Sequence, residues 1–296
     1  MADDISIHLK WYNKFQFAGY YAAQQQGYFT DEGHNVRLIE GGPDTNHLHQ
    51  LINGSSQYAV LGSEALGSLA LGSIFLHAPE VLMTLKSSKV KSIKALKGKR
   101  LMLANNNISG QIDAMLLKNL LTPEDYQLSA YDGDVKNLAN ESVFAMYGYI
   151  SNEPYLLQQL GYPVDLFRPQ DYGINFYGDH FTTTQDELDN YPERVAAMRR
   201  AVIRGWSYAL EHPDSIIEYT MSLPSKNPLP YNLSHQQYEA RITADLIDTN
   251  RVPLGTSSPV RWAAMFDTYN HTTGGQAVVA ERAKFYPMLV ASSLIV

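Results

Sequence analysis

The first forty-two residues carry the pattern that most constrains the fold. Residues 5–9 alternate apolar and polar side chains, as in a half-buried strand. Residues 18–29 repeat apolar side chains every three or four positions, with small residues such as Gly19 among large tyrosines, which predicts a helix packed closely on a sheet. Residues 35–39 predict a second strand. This strand–helix–strand order predicts two parallel strands and an α/β fold.

The segments after these two strands are rich in aromatic, amide and glycine residues. Trp11, Asn13 and Gln16 follow the first strand, and Gly42 belongs to the turn after the second. Ligands of open α/β sheets bind at the carboxyl ends of the strands. We therefore expect an indole face, two amides and a bare glycine backbone to bind a small, flat, polar molecule. The alternative, equally supported by the sequence, is that Trp11 is an ordinary core or rim residue.

A third strand is predicted at residues 58–62 and is followed by Ser63. We expect Ser63 to cap a short helix over residues 64–71, because serine is a common residue at that position. The free backbone N–H groups at the start of a helix favour an anionic group or a carbonyl oxygen of a ligand. Ser63 is therefore a further candidate ligand contact.

A polar loop at residues 105–110 repeats this plan in the middle of the chain. It follows a strand predicted at residues 100–104 and precedes a helix predicted over residues 111–121. The repetition predicts a second α/β lobe with its own binding loop. Its candidate ligand contacts are Asn107, Ile108, Ser109 and Gly110. An ordinary turn explains the run of asparagines equally well.

Glu153 is the acidic residue whose position is most informative. It follows a strand predicted at residues 143–150 and precedes Pro154, which suits the first turn of a helix. A carboxylate at the end of a strand is able to accept hydrogen bonds from an amine or amidine of a ligand. The alternative is that Glu153 complements the dipole of its own helix, and its position alone favours this alternative.

Two tyrosines complete the candidate site. Tyr172 and Tyr177 lie in a segment of aromatic and glycine residues that we expect to return the chain to the first lobe. From residue 186 onward the pattern predicts helices.

Composition excludes several classes of function. The net charge is −7 and the lysines are interleaved with apolar residues, so nucleic acid is not an expected partner. The chain has no cysteine, which excludes disulfides, thiolate metal sites and cysteine nucleophiles. His47 and His49 point to different faces of a predicted helix, so we expect no shared metal there. No pattern predicts a catalytic residue, a cofactor, a metal or a membrane span.

Several segments together resemble a known family. They lie at residues 9–13, 19–23, 27–33, 96–100, 152–155, 172–179 and 205–210. They resemble periplasmic substrate-binding proteins of the thiamine-pyrimidine-precursor (NMT1-like) type, which are related to sulfonate binders. The resemblance implies a two-lobed clamshell (type II) with two crossovers and a ligand between the lobes. We expect lobe I at residues 1–83 plus 183–296 and lobe II at residues 84–182.

The resemblance also implies roles for particular residues. It assigns ligand binding to Trp11 and Asn13 in the first lobe and to Glu153 in the second. Gln16 stands where those family members carry a histidine, which argues against a pyrimidine as the ligand. The related eukaryotic enzymes use a cysteine-rich motif, and this chain has no cysteine. We therefore expect a binding protein without catalytic activity.

The residues from Leu9 to Ala23, together with Arg261 and Trp262, resemble most closely a second branch. In that branch the same clamshell is the extracytoplasmic sensor domain of membrane histidine kinases and cyclic-dinucleotide signalling proteins. The expected partners are a small-molecule ligand and a membrane-embedded signalling module in the same chain. The alternative is a soluble substrate-binding protein that works with an ABC permease. Both imply a periplasmic location, although residues 1–4 have no feature of a signal peptide.

Overall fold

The computed structural model describes residues 4–43, 45–62, 69–104, 110–227 and 231–272. They form two compact α/β units. Within the described residues, the first unit ends at Leu76 and resumes from Tyr177 to Ser257. The second unit takes His77–Phe176 and the residues from Ser258 onward. None of the described helices is both long enough and apolar enough to cross a membrane.

The first unit is built on a five-stranded mixed sheet with the strand order β2-β1-β3-β10-β4. Its strands are β1 (Asp4–His8), β2 (Asn35–Ile39), β3 (Tyr58–Leu61), β4 (Leu69–Ser73) and β10 (His180–Thr183). Its helices are α1 (Ala18–Gln25), α2 (Tyr28–Asp31), α3 (His47–Ile52), α7 (Gln185–Asn190), α8 (Pro192–Glu211), α9 (Pro213–Ser222) and α10 (Leu233–Ile247). The predicted parallel pairing of the first two strands is confirmed, with Ile7 opposite Leu38.

Two predictions for the first unit need correction. The helix predicted over residues 18–29 is divided into α1 and α2, because Gly27 between them has φ +76°. The helix predicted over residues 64–71 is wrong at residues 69–71, which belong to β4, while residues 63–68 lie outside the described part. The strand forms because Leu69 pairs with Thr183, a partner far along the chain that local periodicity does not reveal.

The core of the first unit depends on a very close approach of α1 to α8. A Cβ atom added to Gly19 would lie 2.1 Å from Cγ of Trp206, and one added to Gly205 would lie 2.1 Å from the carbonyl oxygen of Gly19. Trp206 has no exposed surface. The small residues noted in the sequence therefore let two helices pack backbone against backbone.

The second unit is built on a sheet with the order β7-β6-β8-β5-β9. Its strands are β5 (Glu80–Leu85), β6 (Arg100–Leu103), β7 (Gln127–Ala130), β8 (Ala145–Tyr149) and β9 (Val164–Phe167). Its helices are α4 (Gly110–Lys118), α5 (Lys136–Ala139), α6 (Glu153–Gln159) and α11 (Pro259–Thr272). Strand β5 is antiparallel to both of its neighbours, β8 and β9, with Leu82 opposite both Tyr147 and Phe167.

The unit boundaries differ from those expected at residues 83/84 and 182/183. They fall after Leu76 and after Phe176, because all of β5 pairs within the second sheet and all of β10 within the first. The described chain also passes once more into the second unit after Ser257. Arg261 attaches α11 to the second unit, because its guanidinium donates hydrogen bonds to the Asn175 side chain (2.7 Å) and to the Phe176 carbonyl (2.8 Å).

The close approach of α1 to α8 gives a first prediction. We expect Gly205→Ala to lower the free energy of unfolding by about 1–3 kcal/mol, because the added methyl group overlaps the backbone of Gly19. Urea unfolding measures the loss. Ser207→Ala, an exposed position on the same helix, serves as the control and should change stability little. Equal stability of both variants would contradict the packing described here.

A half-buried histidine gives a second prediction. Burial, followed by the positive charges of His8 and Lys10, lowers the pKa of His47 to about 4. Between pH 6.5 and 4 the unfolded chain therefore binds a proton at His47 that the folded chain does not bind. We expect the free energy of unfolding to fall as pH falls through this window, by up to about 3 kcal/mol. Urea unfolding at several pH values tests this.

The control for the pH experiment is a second histidine on the same helix. His47→Asn should flatten the fall in stability between pH 6.5 and 4, whereas His49→Asn, at an exposed position, should leave it in place. An unchanged pH dependence in His47→Asn would refute the assignment.

Candidate ligand-binding site

The turn that follows β1 contains two of the residues that the sequence assigns to the site in the first unit, Trp11 and Asn13. We call residues 11–14 the Trp11 turn. Trp11 is half-buried, and its indole N–H donates a hydrogen bond to the hydroxyl of Tyr231 (3.3 Å). The ring of Tyr12 meets the indole edge-on, with the ring centroids 5.5 Å apart. The one polar atom of the Trp11 side chain thus has a hydrogen-bond partner within the first unit.

Asn13 is held by three hydrogen bonds within the first unit. Its side-chain nitrogen donates to the carbonyl of Pro224 (2.9 Å), and its side-chain oxygen accepts from the hydroxyl of Tyr21 (2.7 Å). Its backbone N–H donates to the carboxylate of Glu40 (2.7 Å). Both polar atoms of the side chain therefore stabilise the turn itself.

Gln16 lies in the interior of the first unit. Its side chain is 3% exposed and donates to Asp179 at 2.7 Å. The ammonium group of Lys10 meets the other oxygen of the same carboxylate at 2.6 Å. The structure therefore places Gln16 in a buried ionic network.

A second buried ion pair lies beside the first. Lys14 meets Glu239 at 3.0 Å, and the backbone N–H of Gln16 donates to the same carboxylate at 3.3 Å. Burial raises the pKa of Glu239, and the positive charge of Lys14 opposes this shift. The two pairs fix the turn and the 3₁₀ turn that follows it, Phe15–Phe17.

Gly42 and Tyr177 are the other predicted contacts in the first unit. Gly42 faces the ring of Tyr12, because a Cβ atom added there would lie 3.2 Å from Cε1 of that ring. The structure thus brings Gly42 next to the Trp11 turn. Tyr177 is buried at 2% exposure and meets the ring of His180 edge-on at 6.2 Å.

Glu153 in the second unit has both oxygens engaged by nearby donors. One oxygen accepts from the hydroxyl of Tyr131 (2.7 Å) and from the side chain of Asn152 (2.8 Å). The other accepts from the backbone N–H of Tyr149 at 2.6 Å. A Cβ atom added to Gly148 would lie 2.8 Å from this carboxylate, so the glycine makes room for it.

Of the remaining predicted residues, two lie in the described part of the second unit and four lie outside the described residues. Gly110 begins α4 and is buried, and Tyr172 is half-buried, which raises the pKa of its hydroxyl. Ser63, Asn107, Ile108 and Ser109 lie outside the described residues.

Sequence reasoning missed several polar residues around these positions. Glu80 is 2% exposed and accepts from the side chain of Gln111, the second residue of α4, at 2.5 Å. Glu80 lies opposite Tyr149, the residue that donates to Glu153. The sequence signal that marks Glu80 is its position as the one charged residue of a largely apolar strand, β5. Asp179, Tyr231 and Glu239 gave no local signal, because their partners are distant in sequence.

Within the described ranges, no three histidine, aspartate or glutamate side chains are placed to share a metal ion. The candidate residues in each unit instead lie where aromatic rings are found beside buried, hydrogen-bonded carboxylates. Such surroundings suit recognition of a small molecule by ring stacking and hydrogen bonds.

Comparison with known proteins agrees with this geometry. The chain is 22% identical to the formylaminopyrimidine-binding protein of Halalkalibacterium halodurans, over 95% of this chain and 89% of that protein. Its fold matches that of the periplasmic aliphatic sulphonate-binding protein SsuA of Escherichia coli with a TM-score of 0.67 and 15% identity, over 93% of this chain and 88% of that chain.

The desulfurization enzyme DSZB has the same fold, with a TM-score of 0.55 and 13% identity over 99% of both chains. The fold alone therefore does not separate binding from catalysis. The predicted fold class, the two-lobed α/β fold of periplasmic binding proteins, is confirmed. The NMT1/THI5-like family model matches residues 14–216, which is more than half of the chain. The chain therefore belongs to the NMT1/THI5-like family.

Proposed function

We propose that this chain is an extracytoplasmic receptor that binds a small, flat, nitrogen-containing molecule and does not transform it. The observation that carries the proposal is the Trp11 turn. Its indole N–H is bound to Tyr231, and the turn lies at the carboxyl end of β1 beside Gly42. This is the position where open α/β sheets bind ligands. The relative named for binding formylaminopyrimidine supports the nitrogen-containing class.

The position of Gln16 removes one objection to a pyrimidine. Gln16 in place of the family's histidine argues against a pyrimidine only if residue 16 contacts the ligand. Gln16 is 3% exposed and donates to Asp179. The choice of residue at this position therefore affects the packing of the first unit and not a ligand. A pyrimidine-like ligand is therefore our first candidate.

We propose transport with an ABC permease as the output, with sensing as the second candidate. The name of one fold neighbour, the periplasmic sulfonate-binding protein SsuA from Methylobacillus flagellatus, contains the term sulfonate ABC transporter, which supports binding for transport. The resemblance to sensor domains favours the second candidate. Three of the residues that carry this resemblance maintain packing, because Phe15 and Phe17 are core residues and Arg261 bonds α11 to the Asn175 side chain. Such residues are expected in both branches, so they do not distinguish a sensor from a transport protein. The gene downstream of codon 296 separates the two, since a sensor continues into a membrane span and a signalling domain.

The proposal is tested by a thermal-shift screen against pyrimidines, purines, amino acids, polyamines and sulfonates. A ligand at a hundredfold excess over its dissociation constant stabilises the folded state by about 2.7 kcal/mol. We expect a shift with pyrimidines, and recovery of the compound unchanged after incubation. Conversion of the compound would show that the chain is an enzyme, and a shift confined to sulfonates would overturn the proposed ligand class.

Trp11→Ala tests the stacking role. We expect the affinity for the best pyrimidine of the screen to fall tenfold or more, because stacking on an aromatic ring contributes about 1–3 kcal/mol. The variant should stay folded, since Trp11 is half-buried. Tyr162→Ala, at an exposed aromatic residue, is the control and should bind normally. Calorimetric titration measures both, and unchanged affinity in Trp11→Ala would exclude stacking there.

Glu153→Gln separates a binding role from a role at the start of α6. The new amide places an NH₂ group opposite donors such as the Tyr149 N–H, so we expect the free energy of unfolding to fall by about 1–3 kcal/mol. If Glu153 also binds an amine, the affinity for amine ligands should fall much more than that for neutral ones. Equal losses mean that Glu153 only orders its own loop. Glu211→Gln, at an exposed end of α8, is the control.

A further inference from the structure

The Trp11 turn is held by a segment more than two hundred residues away, the connection between α9 and α10. The Asn13 side chain donates to the Pro224 carbonyl (2.9 Å). Glu40, which accepts the backbone N–H of Asn13, also accepts from the hydroxyl of Ser225 (2.6 Å) and the backbone N–H of Lys226 (2.7 Å). One carboxylate therefore ties the turn to the connection.

The first turns of α10 complete this support. Gln236 accepts the backbone N–H of Phe15 at 2.8 Å, and Glu239 accepts that of Gln16 at 3.3 Å. Gln236 and Glu239 are three residues apart on one face of the helix, and both are almost fully buried, at 2% and 1% exposure. Two side chains of α10 thus accept hydrogen bonds from backbone N–H groups of the 3₁₀ turn that follows the Trp11 turn.

Tyr231 is the member of this support that touches the indole. Its hydroxyl accepts the N–H of Trp11 at 3.3 Å. Its own ring is held by the edge of His235, with ring centroids 4.7 Å apart, and by the ammonium group of Lys14 at 5.7 Å from its centroid. A ring restrained on two sides presents its hydroxyl in a fixed direction. The Trp11 indole therefore donates its hydrogen bond to a hydroxyl on a restrained ring.

The family model covers only part of this support. It matches residues 14–216, which include Lys14 and Glu40, whereas Trp11 precedes that range and residues 223–239 follow it.

We propose that Tyr231 is a positioning residue that sets ligand specificity by fixing the Trp11 indole. This inference rests on the proposed binding role of Trp11. Because Tyr231 occupies the indole N–H, Trp11 presents its ring face to a ligand and has no donor to offer. The site then prefers flat ligands, which stack, over ligands that are recognised mainly through hydrogen-bond acceptors, such as sulfonates.

Tyr231→Phe tests the proposal, because it removes the hydroxyl and keeps the ring against His235 and Lys14. The first readout is the exchange rate of the Trp11 indole N–H in a ¹⁵N-labelled sample, assigned by the loss of its signal in Trp11→Phe. We expect exchange to accelerate tenfold or more. Tyr162→Phe is the matched control, and it should leave the rate unchanged. Thermal unfolding of the variant should remain near that of the wild type.

The second readout uses 4-aminopyrimidine as a flat probe and ethanesulfonate as a probe that is not flat. We expect the dissociation constant of 4-aminopyrimidine to rise about five- to tenfold in Tyr231→Phe, and its preference over ethanesulfonate to shrink. If Trp11→Ala weakens 4-aminopyrimidine while Tyr231→Phe leaves its affinity and the indole exchange at wild-type values, the inference is overturned and the proposed function stands.

The two proposals fail in different ways. If the wild type binds neither probe, the proposed function is contradicted for these classes of ligand. The inference is overturned with it, because a specificity role needs a bound probe. If both probes lose affinity equally in Tyr231→Phe, Tyr231 only stabilises the turn, and the specificity role is overturned.

Discussion

Two buried ion pairs hold the turn on which the first unit depends. Lys10 pairs with Asp179 at 2.6 Å and Lys14 pairs with Glu239 at 3.0 Å, and all four side chains are at most 9% exposed. A buried charge that loses its partner costs several kcal/mol, so each pair requires both of its members. Asp179 also accepts the backbone N–H groups of Ile74 (2.8 Å) and Phe75 (3.3 Å) through its carbonyl. The same residue therefore connects the turn after β1 to the end of β4, just before the chain leaves the first unit.

The second unit follows the same physical rule with neutral partners. Glu80 and Glu153 are both buried, and their carboxylates accept hydrogen bonds from an amide, a hydroxyl and a backbone N–H. Hydrogen bonds to a charged acceptor are roughly twice as strong as neutral ones, and they offset part of the cost of burial. The polar residues at the ends of the strands thus stabilise the units in which they lie. This explains why residues chosen as ligand contacts, such as Asn13 and Gln16, have partners inside their own unit.

Under the proposed function, ligand recognition depends on side-chain surfaces that remain after these internal hydrogen bonds are made. In the first unit the proposed surface is the ring of Trp11, with its N–H bonded to Tyr231. Stacking on an aromatic face distinguishes ligands by shape more than by hydrogen-bond pattern. Relatives with the same fold are able to bind different ligands if the residues that contact such an aromatic group change its orientation. The fold shared with a desulfurization enzyme shows how far the function on this scaffold varies.

The sequence by itself determined the parts of this protein that depend on local periodicity. Residues 5–9 and 35–39 have the patterns that form β1 and β2. Gly19 predicted a close packing of α1, although the predicted partner was a sheet and the observed partner is α8. The sequence also placed Trp11 at the end of a strand, which is a matter of chain order. Tertiary structure alone decided β4, since its strand form depends on pairing with β10, and a stretch of alanine, leucine and glycine suits a helix or a strand. It also decided the distant partners of Trp11, Asn13 and Gln16, which include Tyr231, Pro224, Asp179 and Glu239. Periodicity reports which face of an element is buried, whereas the partner of a buried polar group depends on contacts between residues far apart in the chain.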